Sequence, residues 1–481
     1  MDIKTNIGLE IHVQLKTKSK MFCGCDNDAE GRLPNTLICP ICMGFPGVLP
    51  VANIQAIEWT IKTALALNCQ IAKMSKFDRK HYFYPDLPKN YQISQYDLPF
   101  AKNGFLEIEN EGERRRVRIR RIHLEEDAAK LIHPAGADYS LVDFNRAGTP
   151  LMEIVTEPDI RSPLEAKVFL QQLRQILRYL EVSDADMEKG HLRCDANISI
   201  SKIKTLGTPV EIKNMNSFKM VERALAYEQE RQRRLLESGK KIKRETRGWV
   251  DEKRMTVPQR GKEVVSDYRY FPEPDLPPIQ LSSEYIKGLK THLPELPAQR
   301  KGRFILAFNL KEKEAETLVD NKSLADYFEE VIAYGIKPNH AANWILVELL
   351  GKLNKKGLDL SGNRVLPSHL ADLIKMLNRG EISGKMAKEI FEEMVETGLG
   401  PGKIIIEKGL KLVTDKDWIK REIKKVIKEN PQAISDYKKG KTAALQFLIG
   451  QIMRQTKGQA SPQTVKKILE EELKRIKDGQ N

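Results

Sequence analysis

The sequence has 481 residues, 30% of them charged and 41% hydrophobic, and its net charge is +14. This length is too great for one hydrophobic core and predicts two to four domains, and the composition is typical of a well-solvated globular protein. No apolar run reaches the roughly 18 residues that a membrane-spanning helix needs, which excludes a membrane protein of that kind. The first residues do not resemble an export signal, so we expect a cytoplasmic protein.

Four cysteines near the start form a CxC pair and a CxxC pair, namely Cys23, Cys25, Cys39 and Cys42. Four thiolates on two tight turns suit tetrahedral zinc, and a full set of ligands predicts a structural site. Disulfides are the rival, but a chain without an export signal is expected in a reducing compartment. Free thiols, or an ancestral site that has lost its metal, stay open as alternatives. Cys69 and Cys194 are expected to be buried as small hydrophobic residues.

Residues 1 to about 290 mix strands with helices. Alternation of polar and apolar residues predicts strands over 7–15, 115–124, 151–156, 192–200 and 209–213. Helical spacing of apolar residues predicts helices over 53–67, 162–180 and 220–238, with Ser162 as the N-cap of the second. The strands are not followed by regular crossover helices, which favours an α+β fold around an antiparallel sheet.

Several predicted strands carry ionisable or amide groups along one face, because side chains two apart in a strand point the same way. These groups are Glu10 and His12 in the first strand, Arg193, Asp195, Asn197 and Ser199 in the fourth, and Glu211 and Lys213 in the fifth. A sheet with one solvated face shows the same alternation, which is the ordinary explanation. The set is nevertheless rich in charged and amide groups rather than Ser and Thr, and this favours a chemical role.

Two further segments carry groups suited to phosphate chemistry. Glu125, Glu126 and Asp127 are consecutive carboxylates, which repel one another unless a cation lies among them. The guanidinium of Arg146 can bind a phosphate or a carboxylate through two N–H groups at once. Arg146 lies just before a Gly-Thr-Pro turn, whose backbone offers further hydrogen-bond donors. Carboxylates with one imidazole suit Mg²⁺ bound to nucleotide phosphates. Lys213 and Arg146 are suited to stabilise the charge that develops on a transferred phosphoryl group. The sequence has no GxxxxGK[ST] loop and no GxGxxG after a strand, so a nucleotide site would be of an unusual type.

The remainder of the chain is predicted to be helical. Proline-rich residues 271–278 predict an extended arm that closes the first domain. Helices are predicted over 324–334, 340–353, 367–378, 383–396, 418–428, 441–456 and 462–477. Ser323 is the expected N-cap of the first of them, and Gly398–Gly402 predicts a flexible joint or a helix stop.

The end of the chain holds most of the excess positive charge. Residues 401–481 contain 19 basic and 10 acidic residues, a net charge of +9. A basic terminal module commonly follows a phosphate backbone, so this charge indicates a nucleic-acid contact. The alternative is a basic helical surface that is simply solvated.

Seven segments together resemble one known family and occur in that family's order. They are Gly8–Leu15, the four cysteines, Asp86–Tyr96, His123–Ala128, Asp143–Leu151, Glu211–Ser217 and Asp267–Pro278. All are similar to the B subunit of the tRNA-dependent Asp/Glu amidotransferase, the GatB family, and the likeness runs from the first strand to the last residues. Residues Met255–Glu263 look looser than the family's usual version, so they receive no role.

The resemblance implies a ligase that acts on mischarged Glu-tRNA(Gln), Asp-tRNA(Asn) or both. ATP and Mg²⁺ phosphorylate the side-chain carboxylate of the esterified amino acid, and ammonia then displaces phosphate to give Gln-tRNA(Gln) or Asn-tRNA(Asn). The implied fold is a cradle-like catalytic domain with a structural zinc, here residues 1–294. A helical domain at 295–405 and a small basic tail domain at 406–481 that binds tRNA follow it.

The resemblance also implies roles for individual residues. The expected Mg²⁺ ligands or ligand supports are Glu10, His12, Glu125 and Glu153. Second choices for the site are Asp195, Asn197 and Glu211. Arg146 and Lys213 are expected to stabilise phosphoryl charge. An ordinary core histidine is the alternative explanation of His12.

Partner proteins are implied as well. The chain shows no glycine- and serine-rich amidase signature, so ammonia is expected from a separate amidase (glutaminase) subunit. In the family a small third subunit completes a heterotrimer. Two other functions stay open, a zinc-stabilised tRNA-binding scaffold without chemistry and a free-standing ligase that uses ammonia directly. A scaffold would not need Glu10, Glu125 and Glu153 together.

Overall fold

The computed structural model describes residues 3–110, 112–201, 206–259, 267–358, 360–409, 416–438, 441–456, 460 and 462–477. The chain divides into two compact units, residues 1–297 and 298–481. Strands and helices both occur in the first unit, and the described part of the second is helical, so the predicted α+β class is confirmed. The predicted boundary between residues 405 and 406 stays a prediction.

Among its described residues, the first unit contains the strands and four α-helices. Its strands are β1 (Lys4–Gln14), β2 (Gln70–Ile71), β3 (Met74–Ser75), β4 (Asp78–His81), β5 (Tyr91–Ser94), β6 (Ala101–Asn110), β7 (Glu113–Glu126), β8 (Lys130–Ile132), β9 (Leu141–Asp143), β10 (Pro150–Thr156), β11 (Leu192–Ser201), β12 (Val210–Lys213), β13 (Glu245–Val250), β14 (Met255–Pro258), β15 (Phe271–Pro272) and β16 (Ile279–Gln280). Its α-helices are α1 (Ile54–Ala66), α2 (Pro163–Tyr179), α3 (Phe218–Glu237) and α4 (Ser283–Thr291). The five predicted strands correspond to β1, β7, β10, β11 and β12 and are confirmed.

The helix predictions for this unit are also confirmed. The hydroxyl of Ser162 accepts a 3.1 Å hydrogen bond from the Glu165 backbone N–H, which makes Ser162 the N-cap of α2 as expected. Asn53 caps α1 in the same way, with its side-chain oxygen 3.0 Å from the Gln55 nitrogen. Cys69 and Cys194 are both buried, as predicted.

Nine strands form the main sheet, in the order β14-β13-β12-β11-β1-β10-β7-β6-β2. Neighbouring strands in it are antiparallel except β12 and β13, which run parallel. The sequence analysis missed this pair because it predicted no strand after the helix at 220–238. Helix α3 lies between β12 and β13 in the chain, and a crossover of this kind is what two neighbouring parallel strands require.

The main sheet has one apolar and one polar face. Ile7, Leu9, Ile11 and Val13 of β1 alternate with polar residues and are at most 1% exposed. They belong to one hydrophobic core together with residues of α1, α2 and α3. The apolar face of the sheet is therefore fixed against the helices, and the alternate side chains, including Glu10 and His12, share the other face.

Strands that do not join the main sheet form smaller sheets, and two of these sheets include residues of the predicted arm or residues next to it. Strand order is β15-β4-β5 in one, β16-β3 in a second and β8-β9 in a third. Phe271 and Pro272 pair with β4, and Ile279 and Gln280 pair with β3. The arm is thus extended at Phe271 and Pro272 but turns at Pro274 and Asp275, and strand pairing anchors it at its start and just after its end.

The second unit is built from helices. They are α5 (Pro297–Phe308), α6 (Glu312–Val319), α7 (Lys322–Ala333), α8 (Pro338–Asn343), α9 (Leu350–Lys355), α10 (Pro367–Asn378), α11 (Gly384–Thr397), α12 (Pro401–Glu407), α13 (Lys416–Glu429), α14 (Pro431–Lys438), α15 (Thr442–Gln455) and α16 (Pro462–Lys477), with a π-helical segment at Trp344–Leu349. Two hydrophobic cores occur here, one within residues 304–404 and one within 419–473. In the described residues, no helix is long and apolar enough to cross a bilayer.

One capping prediction in this unit is wrong. Asn321, not Ser323, is the N-cap of α7, because the Asn321 side-chain oxygen accepts a 2.8 Å hydrogen bond from the Ser323 backbone N–H. Both residue types are good caps, and the chain enters the helix two residues earlier than expected. Gly398 ends α11 with φ at 75°, so the glycine cluster contains the predicted helix stop.

Candidate active site

Three neighbouring strands bring two histidines and two glutamates together on the polar face. His12 of β1 lies opposite Glu153 of β10, and Glu153 lies opposite His123 of β7. Glu125 follows His123 by two residues and therefore points to the same side of the sheet. Directly opposite residues have Cβ atoms about 5 Å apart, so strand register alone assembles these four side chains, here called the His–Glu cluster.

The His–Glu cluster is tight and largely buried. His123 Nε2 lies 3.0 Å from Glu153 Oε2 and 3.6 Å from Glu125 Oε2. His12 Nε2 lies 3.5 Å from Glu153 Oε2 and 3.9 Å from Glu125 Oε1. The hydroxyl of Ser94 donates a 2.9 Å hydrogen bond to Glu125 Oε2. The side chain of Glu125 is 3% exposed and that of His12 is 25% exposed, so the cluster meets solvent at His12.

Burial and mutual attraction act against each other in this cluster. Burial alone raises the pKa of Glu125 and of Glu153, but His123 with Lys80 outweighs it at Glu125, and His123 with His12 outweighs it at Glu153, so both pKa values are lowered. Burial alone lowers the pKa of His12 and of His123, but the two glutamates outweigh it and raise both. The carboxylates are therefore held in the ionised form, which is the form that binds a cation.

The donor set of the cluster suits a metal ion. One ligand atom each from His12, Glu125 and Glu153 lies within 4.8 Å of the other two. Carboxylate oxygens are ligands that Mg²⁺ accepts, so the residues present fit the predicted ion. Glu10 is not part of this group, and its Oε1 accepts a 3.0 Å hydrogen bond from Asn197 Nδ2 on the next strand.

Glu10 belongs to a second polar group beside the first. Glu10 lies opposite Asp195 in β11, and Asn197 lies opposite Glu211 in β12. Lys213 Nζ lies 2.5 Å from Asp195 Oδ2 and 2.8 Å from Glu211 Oε1. Burial raises the pKa of Glu10, and the charges of Glu153, Glu211 and Asp195 raise it further. The structure thus places all second-choice residues on the same face, one to two strands from His12.

The three consecutive carboxylates have separate partners. Glu125 belongs to the His–Glu cluster, and Glu126 pairs with Lys89 Nζ at 2.6 Å. Asp127 Oδ2 lies 2.7 Å from Arg193 Nη2. The chain itself therefore supplies the cations beside Glu126 and Asp127.

Arg146 lies at the edge of this region and is already engaged. Its Nε donates a 2.9 Å hydrogen bond to the Ala128 carbonyl, and its Nη2 donates a 2.8 Å bond to the Ala129 carbonyl. Asp127 Oδ2 lies 3.8 Å from the same guanidinium. Two of the five N–H donors of the guanidinium that was expected to bind phosphate thus bind the backbone after β7.

Two residues of the site were not selected from the sequence. His123 could have been found, since it precedes Glu125 by two in a predicted strand, which is the same pattern that selected Glu10 and His12. Lys80 gave no such signal, because its strand β4 belongs to a different sheet. Burial lowers the pKa of Lys80, but the nearby charges of Glu125 and Glu153, with Tyr270, raise it overall.

Tyrosines surround Lys80, and two of them, Tyr268 and Tyr270, directly precede the arm. Lys80 Nζ lies 5.1 Å from the ring centre of Tyr268 and 5.8 Å from that of Tyr82. Tyr270 stacks on Tyr96 with ring centres 4.4 Å apart. An ammonium over aromatic rings is stabilised while it is charged, so Lys80 is a positive group beside the His–Glu cluster.

The four cysteines form a second candidate metal centre. One Sγ atom from each lies within 4.8 Å of the others. A tetrahedral zinc with bonds of about 2.3 Å holds its sulfurs about 3.8 Å apart, so the four residues fit this ion. The backbone N–H of Cys39 also donates a 3.2 Å hydrogen bond to Cys42 Sγ. The donor set leaves no position for a substrate, which is typical of a structural site.

Known families and proteins match the chain over most of its length. Residues 5–287 match the family described as GatB/GatE catalytic domain, and residues 326–473 match the family described as GatB domain. A Thermotoga maritima protein, named as the B subunit of aspartyl/glutamyl-tRNA(Asn/Gln) amidotransferase, is 53% identical over 473 residues, or 97% of this chain and 98% of its own length. Proteins of the same name from Pseudothermotoga lettingae and Caldicellulosiruptor bescii are each 50% identical, over 98% and 99% of this chain and 100% of their own length.

Proposed function

This chain belongs to the GatB family, and from that premise we propose that it activates the side-chain carboxylate of Glu-tRNA(Gln), Asp-tRNA(Asn) or both. In the proposed reaction the carboxylate oxygen bonds to the γ-phosphorus of ATP and ADP leaves. Ammonia then attacks the acyl phosphate, phosphate leaves, and the amide of Gln-tRNA(Gln) or Asn-tRNA(Asn) is formed. A carboxylate is a poor electrophile, and phosphorylation supplies the leaving group that it lacks.

The observation that carries this proposal is the His–Glu cluster. Two anionic reactants, ATP and a carboxylate, must meet, and a bound Mg²⁺ would neutralise charge between them. We assign His12, Glu125 and Glu153 to hold this ion, with His123 fixing the two carboxylates. Glu10 acts as a neighbouring carboxylate that holds Asn197 and adds negative potential beside the ion.

Cationic side chains next to the cluster suit the phosphoryl group. Lys213 lies in the main sheet and Lys80 in a smaller one, and both remain charged, since carboxylates raise the pKa of each. Positive charge at fixed positions stabilises the charge that develops on a transferred phosphoryl group. Arg146 is proposed for the same role, through N–H donors other than the two that bind backbone carbonyls. Asp195 and Glu211 orient Lys213.

The remaining parts of the proposal concern metal, ammonia and tRNA. The four cysteines would hold a structural zinc. A separate amidase subunit would supply ammonia, since the chain carries no amidase signature, and its relatives are named as one subunit of an amidotransferase, which is consistent with such partners. A small third subunit would complete a heterotrimer. The basic residues 406–481 would bind the tRNA backbone.

Replacement of Glu125 by glutamine tests the proposal. Glu125→Gln keeps the volume and can still accept the hydrogen bond from Ser94, but it removes one anionic ligand. We expect ATP-dependent turnover of the complete complex on mischarged tRNA to fall at least about 100-fold, because metal-centred charge stabilisation supplies several kcal/mol. ADP release and amidated tRNA are measured together, and tRNA affinity should be nearly unchanged.

Glu113→Gln is the matched control, because Glu113 lies on the same strand and is exposed. It should leave turnover unchanged. Undiminished turnover in Glu125→Gln would favour the scaffold function, in which a partner performs all the chemistry. Formation of Gln-tRNA from glutamine by the purified chain alone would overturn the need for an amidase subunit.

A further inference from the structure

A buried lysine lies against the four-cysteine site. We propose that Lys20 is the counter-cation of this site and that it couples metal occupancy to the turn Asp143–Thr149 beside the candidate active site. The inference rests on the zinc site proposed above but not on the phosphoryl chemistry. It assigns a positioning role to a residue that no cysteine pattern identifies.

Lys20 is unusual in being completely buried. Its exposed fraction is 0%, and its ammonium donates to the Leu37 carbonyl at 2.8 Å and to the Phe144 carbonyl at 3.4 Å. Cys42 Sγ lies 4.0 Å from the same nitrogen. Among the residues that the structure describes, no ion pair within 4.0 Å joins Lys20 to a carboxylate. A buried charge without an anionic partner is strongly disfavoured, so the thiolate is the counter-ion that the structure offers.

The charge of the metal site accounts for a lysine at this position. Zinc carries two positive charges and four thiolates carry four negative ones, so a filled site has an excess of about two negative charges. The backbone N–H of Cys39 and the ammonium of Lys20 both point to Cys42 Sγ. Groups that donate to metal ligands in this way stabilise the bound metal, and their loss typically costs 10- to 100-fold in affinity.

The other contacts of Lys20 lead away from the metal. Phe144, whose carbonyl accepts from Lys20, begins the short helix that carries Arg146. The Asn145 side-chain oxygen accepts a 2.8 Å hydrogen bond from the Leu37 backbone N–H. Lys20 therefore joins the cysteine loop to the turn. Leu37 belongs to the same junction, because its carbonyl accepts from Lys20 and its N–H donates to the Asn145 side chain.

Gly148 forms a second junction between the same segments. Its carbonyl accepts a 2.7 Å hydrogen bond from the Met21 backbone N–H, and its own N–H donates a 2.9 Å bond to the Asp127 carbonyl. A Cβ atom at Gly148 would lie 3.5 Å from Cys42 Cβ and 3.5 Å from Lys20 Cδ. The turn thus packs against the metal loop on one side and against the end of β7 on the other, so a change at the metal reaches Asp127 through two contacts.

Zinc retention in Lys20→Met tests the counter-cation role. Methionine preserves length and removes the charge, and Lys18→Met is the control because Lys18 is exposed on the same segment. The full-length chain is titrated with a chelator and the zinc that remains is measured. We expect Lys20→Met to lose zinc at 10- to 100-fold lower chelator concentration than the wild type, while Lys18→Met behaves as the wild type. Equal retention in all three proteins would overturn the inference.

Hydrogen exchange of the wild-type chain tests the coupling without any substitution. Removal of zinc should reduce protection of the backbone N–H groups of Met21 and Gly148, while amides in the middle of α3 keep theirs. Unchanged protection at both positions would disprove the coupling, even if Lys20→Met failed to fold. A wild-type protein purified without zinc would instead disprove the zinc site itself, so the two failures are distinguishable.

Discussion

The four-cysteine site and the His–Glu cluster lie in the same unit but are assembled in opposite ways. All four cysteines of this site lie within residues 23–42, on a loop between β1 and α1. The His–Glu cluster draws on β1, β7 and β10, and its first and last members are separated by about 140 residues of chain. The first site depends on local turns, whereas the second depends on the register of three strands.

This difference predicts different consequences of damage. Loss of the metal from a loop site should disorder the loop and leave the sheet folded, because the sheet has its own core. Loss of a member of the His–Glu cluster should instead destabilise the sheet, because the remaining charges stay buried on its surface. The three predictions below test this contrast, from the largest expected free-energy change to the smallest.

Removal of zinc should have the largest local effect. Cys42→Ser removes the most buried ligand, and we expect the metal content to fall from one zinc per chain to none, with a loss of about 10 kcal/mol of binding free energy. Limited proteolysis should then cut within residues 24–50, while circular dichroism of the strands changes little. Cys69→Ala, at a buried cysteine outside the site, should retain one zinc. Global unfolding of Cys42→Ser would contradict the contrast.

Replacement of His123 should destabilise the first unit. His123→Gln removes the imidazole nearest to Glu153 and leaves His12 as the remaining imidazole of the cluster, so the free energy of unfolding of the metal-free protein should fall by about 3 kcal/mol. Urea unfolding followed by tryptophan fluorescence measures this change, and added Mg²⁺ should restore part of it. His133→Gln serves as control, since His133 is exposed. If the free energy of unfolding fell less in His123→Gln than in the control, the charges of the His–Glu cluster would not stabilise the folded unit.

Deletion of residues 406–481 should cause the smallest free-energy change and should leave the four-cysteine site and the His–Glu cluster unchanged. The core within residues 419–473 shares no residue with the other two cores, so its removal should leave them folded. We expect affinity for tRNA to fall about tenfold and the salt dependence of binding to weaken, because fewer phosphates are neutralised. Equal affinity and equal salt slope with and without these residues would remove the tRNA role of the basic end.

Much of the fold was accessible from the sequence because it follows local rules. The five predicted strands, the cap at Ser162 and the helix stop at Gly398 all arise from alternation, capping and glycine conformation within a few residues. The N-cap at Asn321 was missed because two equally good caps lie two residues apart, and only the path of the chain decides between them.

The candidate site was accessible only in part. Glu10, His12, Glu125 and Glu153 were selected as a set, but strand register places His123 in the cluster and directs Glu10 to Asn197. Lys80 reaches the region from a different sheet, and Arg146 is engaged with backbone carbonyls that no spacing reveals. Each of these contacts joins residues distant in the chain.

The sequence by itself determined the residue types, the cysteine spacing and the alternation that separates a polar from an apolar face, because these follow from neighbours along the chain. The tertiary structure alone decided which polar residues meet, which cations neutralise Glu126 and Asp127, and that Lys20 lies against Cys42. The physical reason is that charges act through space and their strength depends on burial. Neither the distance between two charges nor their burial can be read from the order of the residues.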